Sequence, residues 1–150
     1  MSIRVNLHFR TKMDVEFLSK GIPLRLIRLL GTVQLKTPTG WSREERVIID
    51  TGNPISIIPY SIWSQVEIRI LIQSKTKIFG LGSDEVGGLS GQLAEAILVF
   101  KDRDNASPPI KFKAHILDDD SAPFLIGFED ILTIADMFCN YKSNAAWLEF

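Results

Sequence analysis

In Arg46-Val-Ile-Ile-Asp-Thr-Gly-Asn-Pro-Ile-Ser-Ile-Ile-Pro59 an apolar strand, Val47 to Ile49, delivers one carboxylate, Asp50, into a turn that carries Thr51 and Gly52. Glycine lets a backbone turn tightly or lie close to a ligand. An Asp-x-Gly turn that merely closes a strand accounts for the same three residues. Either way the segment requires extended chain over 45–50 with a sharp change of direction after it.

Alternation of apolar and polar residues extends this reading in both directions. Ile3, Val5, Leu7 and Phe9 alternate with Arg4, Asn6, His8 and Arg10, as in a half-buried strand, and Ile110, Phe112, Ala114 and Ile116 repeat the pattern. Nineteen Ile and nine Phe residues favour pleated, extended structure. Further strands are expected over 24–36, 68–79, 91–101 and 145–150. The punctuation falls between them, at Thr37-Pro-Thr-Gly40, Gly80 to Gly91 and Asp102 to Pro109. Pro59, Ile62, Trp63 and Val66 have helical spacing, as do Ile131, Ile134, Ala135 and Phe138, so two short helices are expected. With no repeats or linkers, residues 1–150 are expected to form one all-β domain, a barrel or sandwich, in which 1–20 make an N-terminal extension with its own strand.

Composition narrows the function classes. The chain has 150 residues, 45% hydrophobic and 23% charged, which excludes wholesale disorder. The apolar run from Ala96 to Phe100 is far shorter than the roughly 20 residues of a membrane span, so no membrane partner is expected. Cys139 is the single cysteine, which excludes an internal disulfide, and the opening residues lack a signal sequence; both point to a cytoplasmic, reducing compartment. Two His and one Cys are too few for an ordinary zinc site and no calcium loop is present, so neither metal nor cofactor is expected. Residues 1–46 carry a net charge of +5, yet Arg4, Arg10, Arg25 and Arg28 are dispersed among apolar residues, which argues against nucleic acid. Trp41, Trp63 and Trp147 read as packing aromatics, Cys139 as a buried thiol on an apolar helical stripe, and Asp118 to Asp120 as a solvated turn.

Ile48-Ile49-Asp50-Thr51-Gly52 resembles the hallmark of the retropepsin-like aspartic proteases, the single-domain relatives of pepsin found in retroviruses and some cellular proteins. Phe124-Leu125-Ile126-Gly127, followed by Glu129 to Phe138, is similar to the family's second motif. The Gly-rich stretch Lys77 to Gln92 has the place of its flap, and Ala145 to Phe150 that of its C-terminal strand. The resemblance spans about residues 24–150. It implies an acid-protease β-barrel with one or two short helices, and an aspartic endopeptidase in which Asp50 is catalytic and Thr51 and Gly52 support it. It further implies that Asn53, Gly80, Leu81, Gly82, Val86, Gly87 and Gly88 meet the peptide.

Two close carboxylates sharing one proton supply both the base and the acid of peptide hydrolysis. No second Asp-Thr-Gly or Asp-Ser-Gly occurs in the chain, so an enzyme of this type requires a symmetric homodimer with one Asp50 from each subunit and a peptide or protein substrate. Retroviral members hold Asp two positions after the first Gly and Arg after the later one; here Pro54 and Phe128 stand there. The alternative is a non-catalytic β-barrel module that binds or dimerises, with Asp50 as a turn residue.

Overall fold

The computed structural model describes residues 1–78 and 89–150. Strand makes up 49% of the described residues and helix 10%, and six strands close into a barrel, so the all-β expectation holds. Those six are β3 (Arg25–Thr37), β5 (Glu45–Ile49), β6 (Ser56–Ile58), β9 (Ser90–Lys101), β10 (Ile110–Leu117) and β11 (Leu125–Ile126). Around the barrel they run β3-β5-β11-β6-β10-β9 and return to β3. The β5–β11 and β6–β10 pairs are parallel and the other four antiparallel.

The period-2 pattern fills the barrel. Ile110, Phe112, Ala114 and Ile116 of β10 face inward beside Ala94, Ala96, Leu98 and Phe100 of β9, joined by Val33, Leu35, Val47 and Ile49. These side chains are almost wholly removed from water, which makes the barrel interior the main apolar source of stability.

A second, three-stranded sheet covers part of this core. It comprises β1 (Arg4–Asn6), β12 (Asp136–Asn140) and β13 (Ala145–Glu149), in the order β1-β13-β12. Val5, Ala146 and Leu148 pack into the barrel core, and Ile3 and Phe150 exchange backbone hydrogen bonds of 2.9 Å. The first strand of the extension is thereby built into the fold. Beyond it, β2 (His8–Met13) pairs with the first half of β3 and forms an arm whose tip is the five-residue helix α1 (Val15–Ser19).

Several local expectations are overturned or narrowed. The helical spacing of Ile131 to Phe138 instead spans a single turn over Phe128–Leu132 and then strand β12. Asp130 adopts a left-handed φ of 67° there, which breaks any helix, and Phe138 stacks on Trp147 across the hairpin at 4.1 Å between ring centroids. Cys139 consequently lies exposed on β12 rather than buried on a helix. Of the strand expected over 68–79, the described part, 68–78, holds only β7 (Arg69–Ile70) and β8 (Thr76–Lys77), and the helix expected from Pro59 shrinks to α2 (Tyr60–Trp63). Trp63 and Trp147 are half-buried as packing aromatics should be, whereas Trp41, on the two-residue strand β4 (Gly40–Trp41), is 44% exposed. No helix among the described residues is long and apolar enough to cross a membrane.

Candidate active site

Asp50 sits where β5 ends. Parallel pairing with β11 continues up to it: the Ile48 amide donates to Phe124 O at 3.0 Å and the Asp50 amide to Ile126 O at 2.9 Å. The chain then turns away. Asp50 Oδ1 accepts a hydrogen bond from the Gly52 amide at 3.0 Å, and Asp50 O accepts one from Asn53 N at 3.2 Å. One carboxylate oxygen is thus fixed by its own turn, and Gly52 N is the side chain's only hydrogen-bond partner among the described residues. Asp50 is half-buried, while Thr51 and Gly52 are exposed. A Cβ on Gly52 would lie 3.3 Å from Asp50 Oδ1, so the glycine keeps space open beside the carboxylate.

The second motif cradles this turn from below. The amides of Phe128 and Glu129 donate to the carbonyls of Asn53 (3.0 Å) and Pro54 (2.9 Å). Gly127 lies so close that a Cβ there would be 2.6 Å from Asn53 O and 2.8 Å from Ile55 C. Its φ is –100°, so it is the approach of another backbone, not a left-handed conformation, that requires glycine. The Gly127 amide donates to the fully buried Ser56 Oγ at 3.0 Å.

The structure therefore brings the two sequence motifs into direct contact through backbone hydrogen bonds. Asn53 is buried, and its Oδ1 accepts from the Ile55 amide at 3.4 Å, so its side chain braces the turn. Gly80, Leu81, Gly82, Val86, Gly87 and Gly88 lie outside the described residues. Ser56 escapes the sequence reading; the signal for it is a lone hydroxyl inside Ile55-Ser56-Ile57-Ile58, since a polar group in a buried run needs a partner.

Cys139 and His115 do not form a nucleophile–base pair. Cys139 is on β12 and His115 on β10, with no hydrogen bond between them among the described residues. Burial alone lowers the His115 pKa, and its Nδ1 has no partner among those residues. Likewise, no group of three or more His, Cys, Asp or Glu that could hold a metal ion occurs among the described residues.

Neither a family model nor a curated protein matches the chain. What the fold and site define on their own is an all-β protein with a closed six-stranded barrel. At the end of one barrel strand it presents a half-exposed carboxylate in a turn clamped by a second loop.

Proposed function

We propose that the chain is an aspartic endopeptidase of retropepsin type, in which the Asp50 carboxylates of two identical subunits activate one water molecule against a peptide bond. The observation that carries this reading is the clamped Asp50-Thr51-Gly52 turn. A carboxylate held at one oxygen by the Gly52 amide, and half-open to solvent, is oriented for proton transfer in advance of substrate. One subunit supplies one such group, and general acid–base hydrolysis at a carboxylate pair needs two. Thr51 and Gly52 beside it are exposed, which suits contact with a second subunit and with an extended peptide backbone. One Asp50 stays ionised and accepts the proton of water as it attacks the carbonyl; the other donates its proton to the carbonyl oxygen and stabilises the tetrahedral intermediate.

A non-catalytic module of the same fold is the second reading, and Pro54 and Phe128 favour it. Both are exposed on the two clamped loops, and neither can form an ion pair. Cleavage of a denatured protein between about pH 3.5 and 7.5, run beside Asp50→Asn and a statine-type inhibitor, separates the two. The peptidase reading expects Asp50→Asn to lower the rate at least about 1,000-fold with folding intact. An Asp50→Asn rate equal to the parent's, or no cleavage from folded dimer at any pH, sinks it.

A further inference from the structure

The arm formed by β2, α1 and the first half of β3 has a surface that the proposed peptidase site does not use. Every residue from 11 to 28 is exposed except Asp14, so the arm stands clear of the barrel. Its tip is nonetheless well folded. Asp14 Oδ1 caps α1 by accepting from Phe17 N at 3.1 Å, and the Asp14 amide closes the loop on Leu24 O at 2.9 Å. Gly21 takes a left-handed φ of 79° after the helix, and the Ile22 amide returns to Phe17 O at 2.9 Å.

This ordered tip turns its apolar side chains outward. Val15 is 79% exposed, and Phe17, Leu18, Ile22 and Leu24 are each exposed by 40% or more. Below them Leu26 and Ile27, neighbours on a strand and so on opposite faces, are both exposed as well. Apolar surface on every side of a projecting hairpin suits an enclosing medium better than a flat protein face.

The charges follow the same division. At the tip Glu16 pairs with Lys20 and Asp14 is committed to the helix cap. Behind the tip, Arg10, Lys12, Arg25 and Arg28 have no acidic partner among the described residues. The strand register sets Arg10 directly opposite Arg28, a like-charge pair that destabilises the hairpin unless an anion lies over it. An apolar tip backed by unneutralised cations is the pattern of a segment seated at an anionic lipid surface.

We propose that the arm is a membrane-interface anchor: the tip enters the headgroup region of an anionic bilayer, and Arg10, Lys12, Arg25 and Arg28 contact its phosphate and carboxylate groups. This is peripheral binding and involves no span. It is independent of the peptidase reading, and Asp50→Asn should bind vesicles as the parent does.

Co-sedimentation of the full chain with vesicles of phosphatidylcholine, with and without about 30% phosphatidylserine, tests it. The anionic vesicles should bind at least tenfold more protein, and high salt should weaken that binding. Phe17→Ser with Leu18→Ser should lower partitioning at least tenfold. Arg10→Gln with Arg28→Gln should lower it roughly 25-fold, at about fivefold per cation. The arginine variant also removes a repulsive cross-strand pair and should melt no lower than the parent, so it carries the test even if the tip variant misfolds. Absence of binding to anionic vesicles, or equal binding by folded arm variants, overturns the anchor. So does arm-dependent self-association without vesicle binding, which would assign the tip to a second copy.

Discussion

The loops that clamp Asp50 and the arm that carries α1 sit on the same sheet yet treat their polar and apolar groups in opposite ways. Around Asp50, four backbone amides, those of Asn53, Gly127, Phe128 and Glu129, are satisfied within two short loops, and Asn53 and Ser56 are buried. Along the arm, large apolar side chains face outward and four cations lack acidic partners among the described residues. A region that must hold one geometry satisfies its groups internally. A region that leaves them unsatisfied is shaped for something outside the chain. Substitutions in the clamp should therefore reduce stability, and those in the arm should alter binding while barely moving it.

Gly127→Ala should break the clamp most severely. The new Cβ would collide with backbone on two neighbouring residues, Asn53 and Ile55, and neither loop can withdraw without losing hydrogen bonds. A loss of about 3 kcal/mol is expected, or roughly 6–12 °C in thermal midpoint. By contrast, the tip variant Phe17→Ser with Leu18→Ser should change unfolding free energy by no more than about 0.5 kcal/mol. Urea unfolding of both proteins measures the difference directly, and equal losses in the two would erase the distinction between clamp and arm.

Ser56→Ala should produce a smaller effect of the same kind. It leaves the buried Gly127 amide without its acceptor and removes no apolar contact, for an expected loss of about 1–3 kcal/mol. The consequence for catalysis should be indirect, since Ser56 positions Gly127, which in turn supports the Asp50 turn. If the chain cleaves peptides, kcat should fall while the KM for a short peptide stays nearly constant. An unchanged stability would show that the hydroxyl is not what holds the loops together.

Much of the barrel was legible because its evidence is local. Ile110, Phe112, Ala114 and Ile116 alternate in sequence and all point inward on β10. The contact between the two motifs was not legible, since nothing within Phe124 to Gly127 says that it will lie against Asn53 and Ile55. The failures have a common physical source in long-range pairing. Ile131, Ile134, Ala135 and Phe138 fit a helix by spacing, but Phe138 gains a ring stack on Trp147, and Asp130 is drawn into a left-handed turn. There its carboxylate accepts from the Lys113 amide at 2.9 Å and pairs with the Lys113 ammonium at 2.8 Å. The arm failed to stand out for the opposite reason: alternation over 24–36 reads as one strand, and sequence does not reveal that its first half leaves the barrel.

Asp102 ties the root of the arm to the barrel, and its titration should give the smallest effect. Its Oδ2 accepts from the amide of Asn6, the last residue of β1, at 2.7 Å, and its Oδ1 accepts from the amides of Asp104 (2.8 Å) and Asn105 (2.7 Å). Burial works to raise its pKa, but the donors of Asn6, Asn105 and Asp104 outweigh burial and hold the carboxyl below the ordinary aspartate range. A group depressed in the folded state stabilises the protein above its unfolded value of about 4, and that contribution disappears as the pH falls through the lower, folded value. The stability difference between the parent and Asp102→Asn should accordingly be constant from neutral pH down to about 5 and narrow below about 4. Urea midpoints across that range read the difference. A gap that stays the same in acid would mean that the carboxylate's charge does not hold the arm's root, and that the amides of Asn6, Asp104 and Asn105 are equally well served by a neutral acceptor.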